Sequence, residues 1–286
     1  MPNILTSMVR DFIEYEFWRN AVLGGLIVSV VCSLLSVYVV LRKMAFIGQG
    51  ISHSAFGGVA LGALLFAGTA AADAKIFATA LVFCLAVAFL IAATTQHSRV
   101  SEDSAIGIFF VVSMALGVIF FKMAKGYNQD VFSFLFGSIV ALTRGELVAM
   151  AIMALCICVP LLLLQKELLY YTFDEDMAGV SGIPVRFLHY FLLGVLSVTI
   201  VLSVRMVGIV LISAFLILPG ATANLLATRF NRMVVLSVLC GVVTTMGGLA
   251  LSWTTDWPTG AAIVIVQFAL FLVVFAIRKI QGNLAV

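Results

Sequence analysis

The chain has 286 residues, of which 63% are hydrophobic and 10% charged, and its mean hydropathy is +1.21. A soluble domain carries about 25% charged residues, so this composition excludes a water-covered globule and specifies a polytopic membrane protein. The net charge of +3 is small and the basic residues stand singly or in pairs, which excludes a nucleic-acid surface.

In chain order, residues 1–19 lack the basic start and apolar run of a cleavable signal. They read as a short amphipathic segment lying on the membrane. A helical span needs about 20 mostly apolar residues. Such stretches run from Asn20 to Leu41, from Phe46 to Ala67 and from Ala74 to Thr95, and a fourth ends near Phe121. Ser101, Glu102 and Asp103 give that fourth helix an acidic first turn, which the helix dipole favours. Val131 to Leu142 is apolar but too short to cross, and fits a re-entrant or interfacial helix. Thr143-Arg-Gly-Glu146 is a capping-box signature that starts a helix running to about Leu164. After the polar stretch Lys166 to Pro184, spans follow from Val185 to Val204, Val207 to Leu226, Val234 to Trp253 and Gly260 to Ile277. The expectation is an all-α membrane protein, a helical bundle of about eight to nine spans in a single domain, 1–286. The Lys/Arg bias at the span ends, with Trp253 and Trp257 as an interfacial belt, puts the N-terminus outside. The C-terminus and the 166–184 segment are then cytoplasmic.

The second span is unusual. On a helix, Gln49, His53 and Gly57 share one face at four-residue spacing, while Ser54, Gly58 and Gly62 form a neighbouring face of small residues. Small-xxx-small faces let membrane helices approach closely. His53 is either a ligand beside a pathway or a buried histidine donating to a carbonyl. Other polar groups inside spans include Ser52, Ser213, Thr222 and Asn224. Pro219 and Gly220 interrupt the helix carrying the last two, as a pathway-lining break or as a simple kink. The five cysteines lie in apolar spans and read as small core residues. His97 reads as an exposed loop residue and His189 as a packing or capping residue.

There is no P-loop, HExxH or Gly-x-Ser-x-Gly. The chain therefore carries no nucleotide or hydrolase chemistry, and energy for uphill transport must come from elsewhere. Asp174 can cap a short helix with Glu175 and Asp176 in its first turn. Gly179 or Gly182 can end it, and Pro184 can begin the next helix. Such a helix is a docking element for a soluble partner, or else an ordinary solvated loop.

Several ordered blocks resemble one family. They are Arg42-Lys-Met-Ala-Phe-Ile-Gly with Ile51-Ser-His-Ser, Glu102-Asp-Ser-Ala-Ile-Gly107, Leu135-Phe-Gly-Ser-Ile with Arg144-Gly-Glu, Phe173-Asp-Glu-Asp-Met-Ala with Gly182-Ile-Pro-Val, and Leu211-Ile-Ser with Ile217-Leu-Pro. Together they resemble the permease subunits of ABC importers for zinc, manganese and iron. The resemblance implies a multi-pass protein of the inner (plasma) membrane that is not itself an enzyme. It implies a second copy of the same subunit, a cytoplasmic ATPase dimer and an extracytoplasmic metal-binding protein. It assigns ATPase coupling to Phe173, Asp174, Glu175, Asp176, Met177, Ala178, Gly179 and Gly182. No cofactor is held permanently, and the cargo is a divalent zinc, manganese or iron ion. The resemblance places a transient metal site at His53 and Gln49, with a pathway passing Ser52, Ser54, Gly57, Ser213, Pro219, Thr222 and Asn224.

This chain departs from that pattern in one respect that bears on chemistry. Family members commonly carry Asp where Gln49 stands, and Pro where Gly57 stands. A carboxylate offsets the desolvation of a divalent cation, whereas an amide supplies only a neutral oxygen. Imidazole suits zinc or iron better than calcium or magnesium. A weaker or altered pathway site follows, and a cargo other than manganese stays open. Two rival readings are a permease for metal chelates such as siderophores or cobalamin, and a secondary carrier. The carrier requires coupling carboxylates within the membrane, and none stands near mid-span. Gln49→Asp is expected to strengthen metal retention in the pathway, measured as metal bound to the purified protein; unchanged binding removes Gln49 from the site.

Overall fold

The computed structural model describes residues 14–66, 68–69, 72–97, 100–124 and 143–282. Among them every regular element is helical: α1 (Glu16–Leu41), α2 (Ile47–Phe66), α3 (Ala72–His97), α4 (Glu102–Met123), α5 (Arg144–Leu163), α6 (Gln165–Phe173), α7 (Glu175–Val180), α8 (Val185–Val207), α9 (Ile209–Phe215), α10 (Leu218–Leu226), α11 (Phe230–Thr255) and α12 (Thr259–Ile280). Residues 1–13 and the expected interfacial helix at Val131 to Leu142 lie outside the described residues.

Local signals start several helices where the sequence places them. Ser101 caps α4, its Oγ accepting from the Ser104 amide. Thr143 and Glu146 close a reciprocal capping box. The Glu146 amide donates to Thr143 Oγ1 at 3.3 Å, and the Thr143 amide donates to the Glu146 carboxylate at 3.1 Å. Asp174 caps α7 by accepting from the Met177 amide at 2.9 Å.

Four expectations are corrected. Among the described residues seven helices, not eight or nine, are long and apolar enough to cross a membrane, and α2 is not one of them. It spans 20 residues, but Gln49, Ser52, His53 and Ser54 lower its hydropathy. Residues 16–19 belong to α1 rather than to a separate surface segment. The polar stretch after Leu164 is helical as α6, because Leu168 and Tyr171, one turn apart, are both fully buried. Val207 to Leu226 is not one span but two short helices. Pro219 has no N–H to give the Phe215 carbonyl, so the α9 ladder cannot run through it, and Pro219 instead sits in the first turn of α10. The cysteines also divide: Cys32 and Cys84 are buried, whereas Cys156 is exposed on an outward helix face.

The helices group into two compact units, one formed by the described residues within 1–40, 135–160 and 205–286 and the other by those within 41–134 and 161–204. In the first, α1 and α11 meet through small polar residues. Ser237 donates to the Ser33 carbonyl at 2.7 Å, and Gly241 leaves no room for a Cβ beside Ser33 Oγ. The Gly220 amide, an orphan donor of the first turn of α10, is satisfied by Ser36 Oγ on α1 at 2.9 Å. Arg278 closes the last turn of α10 by donating to the Leu226 carbonyl at 2.9 Å.

In the second unit α2 lies against both α3 and α4. A Cβ at Gly58 would stand 2.7 Å from Ala80 Cα, one at Gly62 2.8 Å from Ile76 Cα, and one at Gly57 2.6 Å from the Ser113 carbonyl oxygen. These are backbone atoms, so the two neighbours approach α2 as closely as glycine allows. The small-residue face read from the sequence is therefore a packing face.

A Cβ at Gly220 would meet the Ser36 carbonyl oxygen at 2.6 Å. Gly220→Val is thus expected to destabilise the first unit by about 1–3 kcal/mol through overpacking, read as a lower midpoint in thermal unfolding of the detergent-solubilised protein. An unchanged midpoint contradicts the close approach.

Candidate functional site

Gln49 and His53 lie within the first two turns of α2, His53 about 9 Å along the helix axis from its start. Gln49 is exposed and lines a groove of about 410 Å³ between α2 and α4. Phe46 stands with it on the α2 side, and Asp103, Ser104, Gly107 and Phe110 form the α4 side. His53 is half-buried, with its ring edge-on to Phe110 at 5.1 Å between centroids. Gln49 thus lines the groove, whereas His53 does not and instead packs against Phe110, which does. Among the described residues no group of three or more His, Cys, Asp or Glu side chains could hold a metal ion. One chain therefore offers an imidazole, an amide oxygen and nearby Asp103, which is less than a closed metal cage.

The remaining candidates are placed as follows. Ser52, Ser54 and Gly57 are buried in the packing face of α2 rather than lining the groove. The Ser54 hydroxyl is spent on the Gly50 carbonyl at 2.9 Å, while the Ser52 hydroxyl has no partner among the described residues. Ser213, Pro219, Thr222 and Asn224 belong to the other compact unit. There Thr222 donates to the Leu218 carbonyl at 2.7 Å, Pro219 is buried, and Asn224 is exposed.

The short helix at 175–180 forms as the sequence implies, with Gly182 at φ +82° just beyond its end. Ala178 faces inward and is fully buried. Phe173 (69% exposed), Met177 (57%) and Val180 (84%) face outward. Asp174, Glu175, Asp176, Gly179 and Gly182 are exposed around them. The helix thus presents an apolar ridge rimmed by acidic residues.

No local pattern announces the cluster that anchors this helix. Arg42 Nη2 donates to Glu102 Oε1 at 2.9 Å, and Nη1 donates to Glu175 Oε2 at 3.1 Å. The guanidinium also lies 4.2 Å over the centre of the Tyr171 ring. Burial works against its charge, but Tyr171, Glu102 and Glu175 outweigh it and raise its pKa, so Arg42 stays cationic. Burial pushes the Tyr171 phenol up as well, which keeps its proton. Thr95 Oγ1 gives its own hydrogen to the Ala92 or Ile91 carbonyl, so it accepts from His189 Nε2 at 3.1 Å. In that tautomer Nδ1 accepts from the Tyr171 hydroxyl at 2.6 Å. With both ring nitrogens engaged, His189 is a packing residue, as its sequence position suggests. His97 is exposed as expected, but it is the last residue of α3 rather than part of a loop.

Comparison with known proteins decides the family. Residues 14–278 match the ABC 3 transport family. The chain belongs to that family. It is 35% identical to the manganese transport system membrane protein MntC of Halalkalibacterium halodurans over 98% of this chain and 94% of that protein. It is 34% identical to the chelated iron transport system membrane protein YfeD of Yersinia pestis over 98% of this chain and 91% of that one. The solved structure of PsaBC from Streptococcus pneumoniae in complex with Fab superposes with a TM-score of 0.81 at 32% identity, covering 95% of each chain. The protein is a multi-pass membrane permease of the metal ABC importer family.

Proposed function

We propose that this permease is the membrane half of an ATP-driven importer that carries a divalent transition-metal ion across the inner (plasma) membrane. The observation that carries the reading is the polar start of α2. There, the Gln49 amide lines a groove and the His53 imidazole packs against Phe110 of its wall, in a chain otherwise built from apolar spans. One copy offers too few ligands to strip a hydrated cation, so the cargo is bound between two copies of the permease, each contributing His53 and Gln49. Zinc and iron fit this pair better than manganese does, because the amide brings no charge.

Energy enters at α7. Its exposed Phe173, Met177 and Val180, rimmed by Asp174, Glu175 and Asp176, form the contact for a cytoplasmic ATPase dimer. One orientation accommodates both features. The 42–46 turn, the ends of α3 and α6, α7 and the starts of α4 and α8 meet at one end of the second unit, through Arg42, Thr95, Glu102, Tyr171, Glu175 and His189. That end is cytoplasmic, and the N-terminus is then outside. On the outer side an extracytoplasmic metal-binding protein delivers the ion.

The test is ATP hydrolysis by the permease co-purified with its ATPase and binding protein and reconstituted in lipid. Zinc, manganese and iron are each supplied free and, for iron, also chelated, because a chelated-iron relative stands at 34% identity. Stimulation of hydrolysis by at least one free ion is expected, with zinc or iron ahead of manganese. Stimulation by the chelate alone would replace free metal by chelate as the cargo, and no stimulation by any of them would sink the import reading.

A further inference from the structure

Arg42 ends the first span in sequence, where a basic residue needs no explanation beyond its membrane-facing position. Its surroundings give it a second role. One guanidinium holds Glu102, the first residue of α4, and Glu175, the first residue of α7, while stacking on Tyr171 of α6. The two ion pairs are unequal. Glu102 is 24% exposed and Glu175 44%, against 12% for Arg42 itself. Water competes for Glu175, so the outer pair is the weaker and parts first.

The two carboxylates lead to different places. Glu175 begins α7, whose outer face carries the apolar ridge of Phe173, Met177 and Val180. Glu102 is followed at once by Asp103 and Ser104, and one to two turns later by Gly107 and Phe110, which together form one wall of the groove. Phe46 and Gln49, on the opposite wall, follow Arg42 after a short turn in which Lys43 holds φ +59°. An α-helix is stiff along its axis, so a shift at Glu102 carries Asp103 and Phe110 with it. Arg42 is therefore attached to both walls of the groove and, through its more exposed arm, to the docking helix.

We propose that Arg42 is the positioning residue that transmits movement of α7 to the Gln49–Asp103 groove. With α7 seated, the guanidinium is shared between Glu175 and Glu102, and the two groove walls are held at a fixed separation. When a bound partner draws α7 outward, the Glu175 arm opens and the guanidinium stays with Glu102. The α4 wall is then free to move relative to α2. Lysine cannot substitute, because a point charge does not serve two carboxylates and an aromatic face in one geometry. The inference rests on the metal-import reading and adds to it the route by which the ATPase step reaches the ion.

The experiment uses the complete complex of permease, ATPase and binding protein in proteoliposomes, and measures metal ions transported per ATP hydrolysed for wild type, Glu102→Gln and Arg42→Lys. Glutamine keeps the shape of Glu102, which lies outside the ATPase contact, so Glu102→Gln tests the proposal even if Arg42→Lys does not fold. The wild-type ratio is read first: a wild-type complex that moves no ion overturns the import reading, and this proposal with it. With wild type active, transport per ATP is expected to fall at least threefold in Glu102→Gln while hydrolysis persists, a conservative threshold against typical coupling between sites. A change in the ratio of less than about threefold, or hydrolysis and transport falling together as the amount of folded complex falls, overturns the role of Arg42 and leaves it a static clamp.

Discussion

A helix that carries Gln49, Ser52, His53 and Ser54 cannot be surrounded by lipid, because each polar group abandoned to hydrocarbon costs several kcal/mol. The rest of the second unit answers that constraint. Glycines at 57, 58 and 62 let α3 and α4 come against the α2 backbone, with Ala80, Ile76 and the Ser113 carbonyl at distances no larger residue would permit. This cover buries Ser52 and Ser54 and leaves Gln49 exposed at the groove between α2 and α4. One thin face thus serves two ends: it shelters the polar groups that packing can absorb, and it orients the rest towards open space.

The same arrangement explains why the charges collect at one end. Glu102 and Asp103 favour the N-terminus of α4, where the helix dipole is positive, and that end lies beside the turn after α1. Arg42 neutralises Glu102 there, and in doing so brings α6 and α7 to the same place. The docking helix is consequently held not by its own six residues, too few for a stable isolated helix, but by its Asp174 cap, by buried Ala178 and by an arginine from a distant span. On the proposed reading, a marginal element anchored by a partly exposed ion pair is the part of the chain that a partner gripping its apolar outer ridge would move.

Features decided by neighbours along the chain were legible in the sequence. The caps at Thr143 and Asp174 depend on residues three positions away, and each forms. The polar character of α2 and the outline of the docking helix were legible for the same reason. Features decided across the chain were not. The partners of Arg42 lie 60, 129 and 133 residues from it, and no local pattern joins them. The spacing of Gln49, His53 and Gly57 placed them on one face but could not say that Gly57 would meet Ser113 while Gln49 met the groove. Pro219 announced a break, yet the break falls two residues earlier, because the missing N–H ends the ladder at its acceptor's end rather than at the proline itself. The helix of α6 was obscured by its charges, although Leu168 and Tyr171, one turn apart, carried its buried face.

The central claim is that the metal passes the polar start of α2, at Gln49 and His53. The most direct measurement is metal accumulation in cells whose only high-affinity importer is this complex, comparing wild type with His53→Ala at matched levels of permease in the membrane. The account predicts that accumulation falls about tenfold or more, as when a ligand or its close support is lost, while ATPase docking is retained. Accumulation equal to wild type would contradict it and move the route of the ion away from α2.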